Sequence, residues 1–284
     1  MTNFTGVSAR TPATGRELLK VSLHQMKAVP GVVALAVLGP LAAAVLFLGL
    51  AAPGLAIAVG LTSGLSILLV LALTLVVGGI AAAVLLVVFQ GAVTSVALRQ
   101  SIGEHASVRQ GFSDSFRSFG RLFQWSLVNA TVGVVMGLIS DRAGALGDIV
   151  SALGGLAWKI ASYFALPVIL VEKTGPFDAL KRSSQLLRTT WGSAARTTVR
   201  FGLILLPFAL AGIALLALGW HFITNDSDAL GATLFALGVV VLVMMAGFVS
   251  TVTAYAQVLL YRFATGVTPK GVSPEVLQGA FRAK

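Results

Sequence analysis

Lys159 is the one basic residue set inside a long apolar run, LGGLAWKIASYFALPVILV. A charge at the centre of a lipid-spanning helix costs about 2.5–3.5 kcal/mol on insertion scales, so it marks a polar pathway or a local structural solution. Asp148 precedes Lys159 by 11 residues. On a helix that spacing shares a face but separates the two by roughly 16 Å along the axis, which argues against a direct pair. Lys159 therefore either snorkels to an interface, meets Asn129 from the preceding apolar run, or serves a functional pathway. Other chemistry is sparse. His24, His105 and His221 are far apart and the chain has no cysteine, so clustered zinc ligands are not expected. GxGxxG, GK[ST]-terminated P-loop, HExxH and GxSxG signatures do not occur. No catalytic, cofactor-binding or metal-binding residue is expected.

The elements that carry these residues follow from composition. Hydrophobic residues are 57% and charged residues 11%, against about 45–50% and about 25% in soluble domains. Between Lys27 and Arg99 no Asp, Glu, Lys or Arg occurs, leaving residues 28–98, 71 in all, without such a charge. One crossing needs about 20 residues, so the stretch holds more than one. The expected fold class is an all-α, polytopic transmembrane bundle. A cytoplasmic amphipathic segment is read over 1–27, a membrane domain over 28–265, and a short cytoplasmic tail over 266–284.

Six spans are predicted. The first runs from about Val29 to Gly49, with the AAPG of Ala51–Gly54 read as the turn after it. One long helix follows from Ile57, spanning at about Leu65–Phe89. The remaining spans are about Trp125–Ile139, Val150–Val171, Phe201–Gly219 and Leu230–Ala256. With the N-terminus inside, 18 of the 20 basic residues fall on the cytoplasmic side. Only Arg142 falls outside, near Asp141, Asp148, Asp226 and Asp228, and Lys159 lies within the membrane. That bias obeys the positive-inside rule and puts both termini in the cytoplasm of a cell-membrane protein. It also explains the net charge of +10 without nucleic acid as a partner.

Two inner segments show helical periodicity. In SVRQGFSDSFRSFGRLFQW, Val108, Phe112, Phe116, Phe119 and Phe123 form a stripe, with Arg109, Asp114, Arg117 and Arg121 turned toward water. In TGPFDALKRSSQLLRTTW, Phe177, Leu180, Leu187 and Trp191 share a face, with Lys181, Arg182 and Arg188 elsewhere. Such helices lie in the membrane interface or pack on the bundle. Arg109, Arg117, Arg121, Lys181, Arg182 and Arg188 are the expected contacts to anionic headgroups, each contributing about 1 kcal/mol near such a surface. Self-association or a membrane-protein partner is a further expectation. Gly60/Gly64 and Gly133/Gly137 are GxxxG pairs suited to close helix packing. A basic amphipathic helix followed by two spans recurs from near Gly15, Ser107 and Gly175, a coarse threefold repetition.

The segments SVRQGFSDSFRSFGRLFQWSLVNATVGVV and LGGLAWKIASYFALPVILVEKTGPFDALKRSSQLLRTTWG carry a resemblance. Its most diagnostic residues are Tyr163, Phe164, Pro167, Val168, Glu172, Gly175, Pro176, Lys181-Arg182-Ser183-Ser184 and Trp191. Over about residues 10 to 265 the chain resembles an uncharacterised family of prokaryotic six-pass membrane proteins. More distantly it is similar to the membrane domain associated with some glycerophosphodiester phosphodiesterases. The resemblance implies an all-helical bundle and no catalytic residues, since the phosphodiesterase chemistry resides in a separate domain. The leading expectation is a non-enzymatic membrane protein that organises lipids or a complex. The alternatives are a small-solute transporter or channel using Lys159, and a membrane-embedded lipid enzyme.

Overall fold

The computed structural model describes residues 22–61, 63–190, 195–225, 228–267 and 269, and among them there is helix but no strand. In chain order the helices are α1 (residues 22–27), α2 (Gly31–Val59), α3 (Gly64–Ser101), α4 (Val108–Arg117) and α5 (Phe119–Ala161). They continue as α6 (Ala165–Glu172), α7 (Pro176–Thr190), α8 (Ala195–Thr224) and α9 (Asp228–Ala264). Five segments are long and apolar enough to cross a membrane: Gly31–Val59, Gly64–Ser101, Phe119–Arg142, Leu146–Glu172 and Ala229–Ala264. In α8 the shorter segment Ala209–Thr224 is apolar. The expected fifth span, Phe201–Gly219, lies partly outside the described side chains. The head before residue 22, Trp191 and the tail beyond residue 269 also lie outside the described residues.

The first reversal differs from expectation. Helix α2 runs straight through the AAPG signal to Val59, carrying Pro40 and Pro53 inside it. Tertiary packing overrides the local turn preference. Gly54 sits directly against Thr74 of α3, where any larger residue would collide. The carbonyl that Pro40 leaves without its helical donor is that of Ala36. Gly247 of α9 packs onto it, so close that a Cβ there would lie 3.0 Å from the Ala36 oxygen. Helix α3 is one unbroken helix of 38 residues, about 57 Å long at 1.5 Å per residue. It starts at Gly64 rather than Ile57 and is not divided at Gly78-Gly79.

The third expected span is the first arm of α5, and the fourth is its second arm continued through α6; the arms of α5 fold back on each other at Gly144 (φ 55°, ψ −143°). Glycine alone adopts that region readily. Trp158 Nε1 donates to Asn129 Oδ1 at 2.9 Å across the arms, and Trp125 stacks on Trp158 at 5.8 Å.

Glycine packing falls elsewhere than the GxxxG pairs suggest. Gly64, Gly133 and Gly137 have open space where a Cβ would stand, and Gly60 approaches only its own turn. The tight crossing is between α8 and α9, at Gly212, Gly219, Gly231 and Gly238. A Cβ on Gly231 would lie 2.5 Å from Ile223 N, and one on Gly219 would lie 2.5 Å from Phe235 N. Seven-residue spacing on both helices brings these glycines to one seam, a pattern that a four-residue motif does not capture.

The core gathers at one end. Phe164, Val168, Ile169, Leu122, Val96, Tyr255, Val258 and Leu259 are fully buried there, joined by Met26 from α1 and by Val32 and Leu35 from the start of α2. In α3 every residue from Gly91 to Leu98 is buried, whereas Leu65, Leu68, Leu69 and Leu73 nearer its start are exposed. A helix enclosed all round at one end and bare and apolar at the other has two environments, a protein core and a lipid-like surface. The short helices α4, α6 and α7 wrap the enclosed end.

Candidate anion-binding site

Local capping and small residues seat α4 against α3. Ser107 Oγ accepts from Gln110 N, and Gln110 Oε1 accepts from Ser107 N at 3.0 Å. This capping box satisfies two otherwise orphaned donors. Gly111 lies against the Ala92 carbonyl, and Ser115 Oγ donates to Val88 O at 2.8 Å. The buried face of this segment is therefore Gly111, Ser115, Ser118 and Leu122, and the phenylalanine stripe read from the sequence lies largely outside it. Small side chains allow the closest helix approach, so they take the inner face. Phe112 is half-buried against Phe89, while Phe116 is 60% exposed, with Phe119 and Phe123 also exposed.

Helix α7 keeps only part of its expected apolar face inside. Ala179, Ser183, Leu186 and Leu187 are buried, and Phe177 is 72% exposed. Ser183 Oγ accepts from Phe164 N at 3.0 Å, capping the break before α6. Glu172 at the end of α6 accepts from Tyr261 Oη at 3.1 Å and from Arg182 Nε at 3.2 Å.

Between these elements lies a cavity of about 600 Å³. Ser95, Leu98, Arg99 and Ile102 line it from α3 and its end; Glu104, Asp114, Arg117, Ser118 and Arg121 from the α4 region; and Leu170, Val171, Lys173 and Arg262 from α6 and α9. Five cations face two carboxylates, an excess of three positive charges. Arg99 is tied down: its Nε and Nη2 donate to Asp114 at 2.7 and 3.1 Å, and its Nη1 to Glu104 at 3.1 Å. Arg262 Nε donates to Ser101 Oγ at 3.2 Å, a neutral acceptor. Arg117 approaches Asp114 only at 3.9 Å and is largely exposed. The side chains of Arg121 and Lys173 have no hydrogen bond or ion pair with a described residue.

Two further details mark the cavity. Lys173 adopts the left-handed region (φ 53°, ψ 36°), alone in this among the described non-glycine residues. Such a conformation costs an L-residue about 1–2 kcal/mol. Ser95 is 3% exposed, and its Oγ has no hydrogen-bond partner. Its neighbour Thr94 does bond back to Gln90 O at 2.8 Å. An unsatisfied buried hydroxyl costs about 1–3 kcal/mol.

Of the residues expected to meet anionic headgroups, Arg117 and Arg121 line the cavity. Arg109, Lys181 and Arg188 are exposed outside it, and Arg182 is held by Glu172. Lys159 is exposed, pairs with no described residue and does not line the cavity. Asn129 is occupied by Trp158 and Asp148 by Ser140, so neither meets Lys159. Sequence reasoning missed Ser95, Arg99, Lys173 and Arg262. Arg99 carried a signal, as the cation that ends the charge-free stretch. Among the described residues no three His, Asp or Glu side chains cluster as metal ligands.

The sequence pattern of a family of unknown function (DUF6159) matches residues 84–270. The chain belongs to that family. The part matched by DUF6159 begins where α3 passes from its exposed half into the enclosed end. It therefore includes every residue that lines the cavity. A search of the curated proteins finds no match to the chain.

Proposed function

We propose that this DUF6159 protein is a multi-pass, non-enzymatic protein of the cell membrane that organises anionic lipids at its cytoplasmic face. The observation that carries the reading is the basic end itself. Exposed Phe116, Phe119, Phe123 and Phe177 alternate with exposed Arg109, Arg117, Lys181 and Arg188. Aromatic rings beside basic side chains suit an interface where acyl chains meet anionic headgroups. Arg142, Asp141 and Asp148 occupy the opposite end, at the Gly144 reversal. This charge bias supports cytoplasmic termini and a sixth crossing by α8. The more distant resemblance to the membrane domain of glycerophosphodiester phosphodiesterases, read from the sequence alone, would fit a lipid-facing role and brings no catalytic residues with it.

Native mass spectrometry of protein released from nanodiscs with equal phosphatidylglycerol and phosphatidylcholine tests the proposal. Retained lipid enriched in phosphatidylglycerol is expected, and less so for a variant with Arg109, Lys181 and Arg188 changed to Gln. Equal retention of both lipids refutes the reading. The transport alternative gains no observation from the cavity, which excludes Lys159. Solute flux in liposomes, lost on Lys159→Ala, would reinstate it.

A further inference from the structure

We infer that the cavity between α3, α4, α6 and α9 is a discrete site for one phosphate-bearing ligand, bound by Arg121, Lys173, Arg117 and Arg262 with Ser95 at its wall. It deepens the lipid-organising reading by naming a site, and rests on that reading only for the source of the phosphate.

Four observations converge on an anion. The cavity holds an excess of three positive charges, and its two carboxylates are committed to Arg99. Gathering like charges is unfavourable unless a counter-charge joins them. Arg121 and Lys173, from different elements, have no partner among the described residues. Guanidinium and ammonium groups together give both directional and point-charge recognition of phosphate oxygens. Lys173 is held at the rim in a strained backbone conformation, of the kind that persists where a function needs the side chain there. Ser95 Oγ, buried and unbonded, supplies a hydroxyl donor that a phosphate oxygen can accept.

The wall is not uniformly polar. Leu98, Ile102, Leu170 and Val171 share it, and Ile102 and Val171 are each 38% exposed. A headgroup phosphate with its glycerol and first acyl carbons against these side chains would match that division. Free phosphate would use the cations and Ser95 alone.

The test uses the full chain in a nonionic detergent, with inorganic phosphate and a short-chain phosphatidic acid as probes and a short-chain phosphatidylcholine as control. Binding is read by calorimetry. Saturable one-to-one binding of either phosphate probe is expected, weakened about tenfold or more by Arg121→Gln or Lys173→Gln, because each removes a charge-assisted contact. Arg121→Lys should restore part of it, and unchanged far-ultraviolet dichroism verifies the fold of each variant. Binding of both probes, or of phosphatidic acid alone, assigns a lipid source; binding of phosphate alone assigns a soluble one. No saturable binding of either overturns the inference, as does binding equally tight in both Gln variants. The Arg109, Lys181 and Arg188 changes lie outside the cavity. They should reduce phosphatidylglycerol enrichment in nanodiscs while leaving cavity affinity intact, so the site and the broader reading can fail separately.

Discussion

Lys173 should trade stability for anion affinity, and the structure gives both sides of the exchange. Its left-handed backbone (φ 53°, ψ 36°) costs about 1–2 kcal/mol for an L-residue with a Cβ. Asparagine tolerates that region, so Lys173→Asn should raise the stability of the ligand-free protein by about 0.5–1 kcal/mol. Lys173→Gly relieves the same strain but forfeits about 0.5–1 kcal/mol to its freer unfolded chain, leaving a smaller gain. Lys173→Gln keeps the strain and should leave stability unchanged. All three remove the cation, so all should weaken phosphate binding about tenfold. Phosphate then reverses the ranking. At one hundred times its dissociation constant it stabilises the wild type by about 2.7 kcal/mol, and a tenfold weaker variant by about 1.4 kcal/mol. The assay is thermal unfolding in detergent, followed by tryptophan fluorescence, with and without phosphate. A ligand-free Lys173→Asn protein less stable than wild type, with unchanged phosphate stabilisation, would refute the reasoning. It would make Lys173 a packing residue.

Asp114→Asn should lower stability by about 1–2 kcal/mol, between the values for exposed and buried pairs, because it breaks the two-point contact with Arg99. It should also tighten phosphate binding severalfold by raising the cavity's charge excess, as a titration would show. Gly231→Ala should destabilise by about 1–3 kcal/mol through overpacking, since its Cβ would meet backbone atoms of Ile223 and Gly219. Gly137→Ala, with nothing near its Cβ, should be neutral or stabilising by up to about 1 kcal/mol; thermal midpoints distinguish the two. The chain has no cysteine, so single replacements report cleanly on topology. An impermeant maleimide applied to intact cells should label Asp141→Cys but not His105→Cys, and the reverse pattern would invert the orientation.

The helices long and apolar enough to span a membrane were legible because lipid imposes one requirement, a long uncharged run, and α3 and α9 satisfy it in sequence alone. The turn at Ala51–Gly54 was misread because the contact that keeps α2 helical there, Gly54 on Thr74, joins residues 20 apart. Amphipathic periodicity found α4 and α7 but left open whether their apolar stripes face the membrane interface or the bundle. Large apolar side chains face a core in water, whereas beside lipid Phe116 and Phe177 can face outward and Gly111 and Ala179 face in. Arg117 and Arg121 stood out in the sequence as expected headgroup contacts. Their assembly with Lys173 and Arg262 was not, because it depends on α6 and α9 packing beside α3, which brings residues from three distant segments around one cavity.

The account centres on a basic end that recruits anionic lipid. Electron spin resonance of reconstituted protein tests it most directly, by comparing the motionally restricted fraction of spin-labelled phosphatidylglycerol with that of phosphatidylcholine. The account predicts a larger restricted fraction for phosphatidylglycerol at low salt, falling as salt screens the exposed arginines and lysines. The preference should also shrink when Arg109, Lys181 and Arg188 become Gln. Equal fractions for the two lipids at low salt would contradict it.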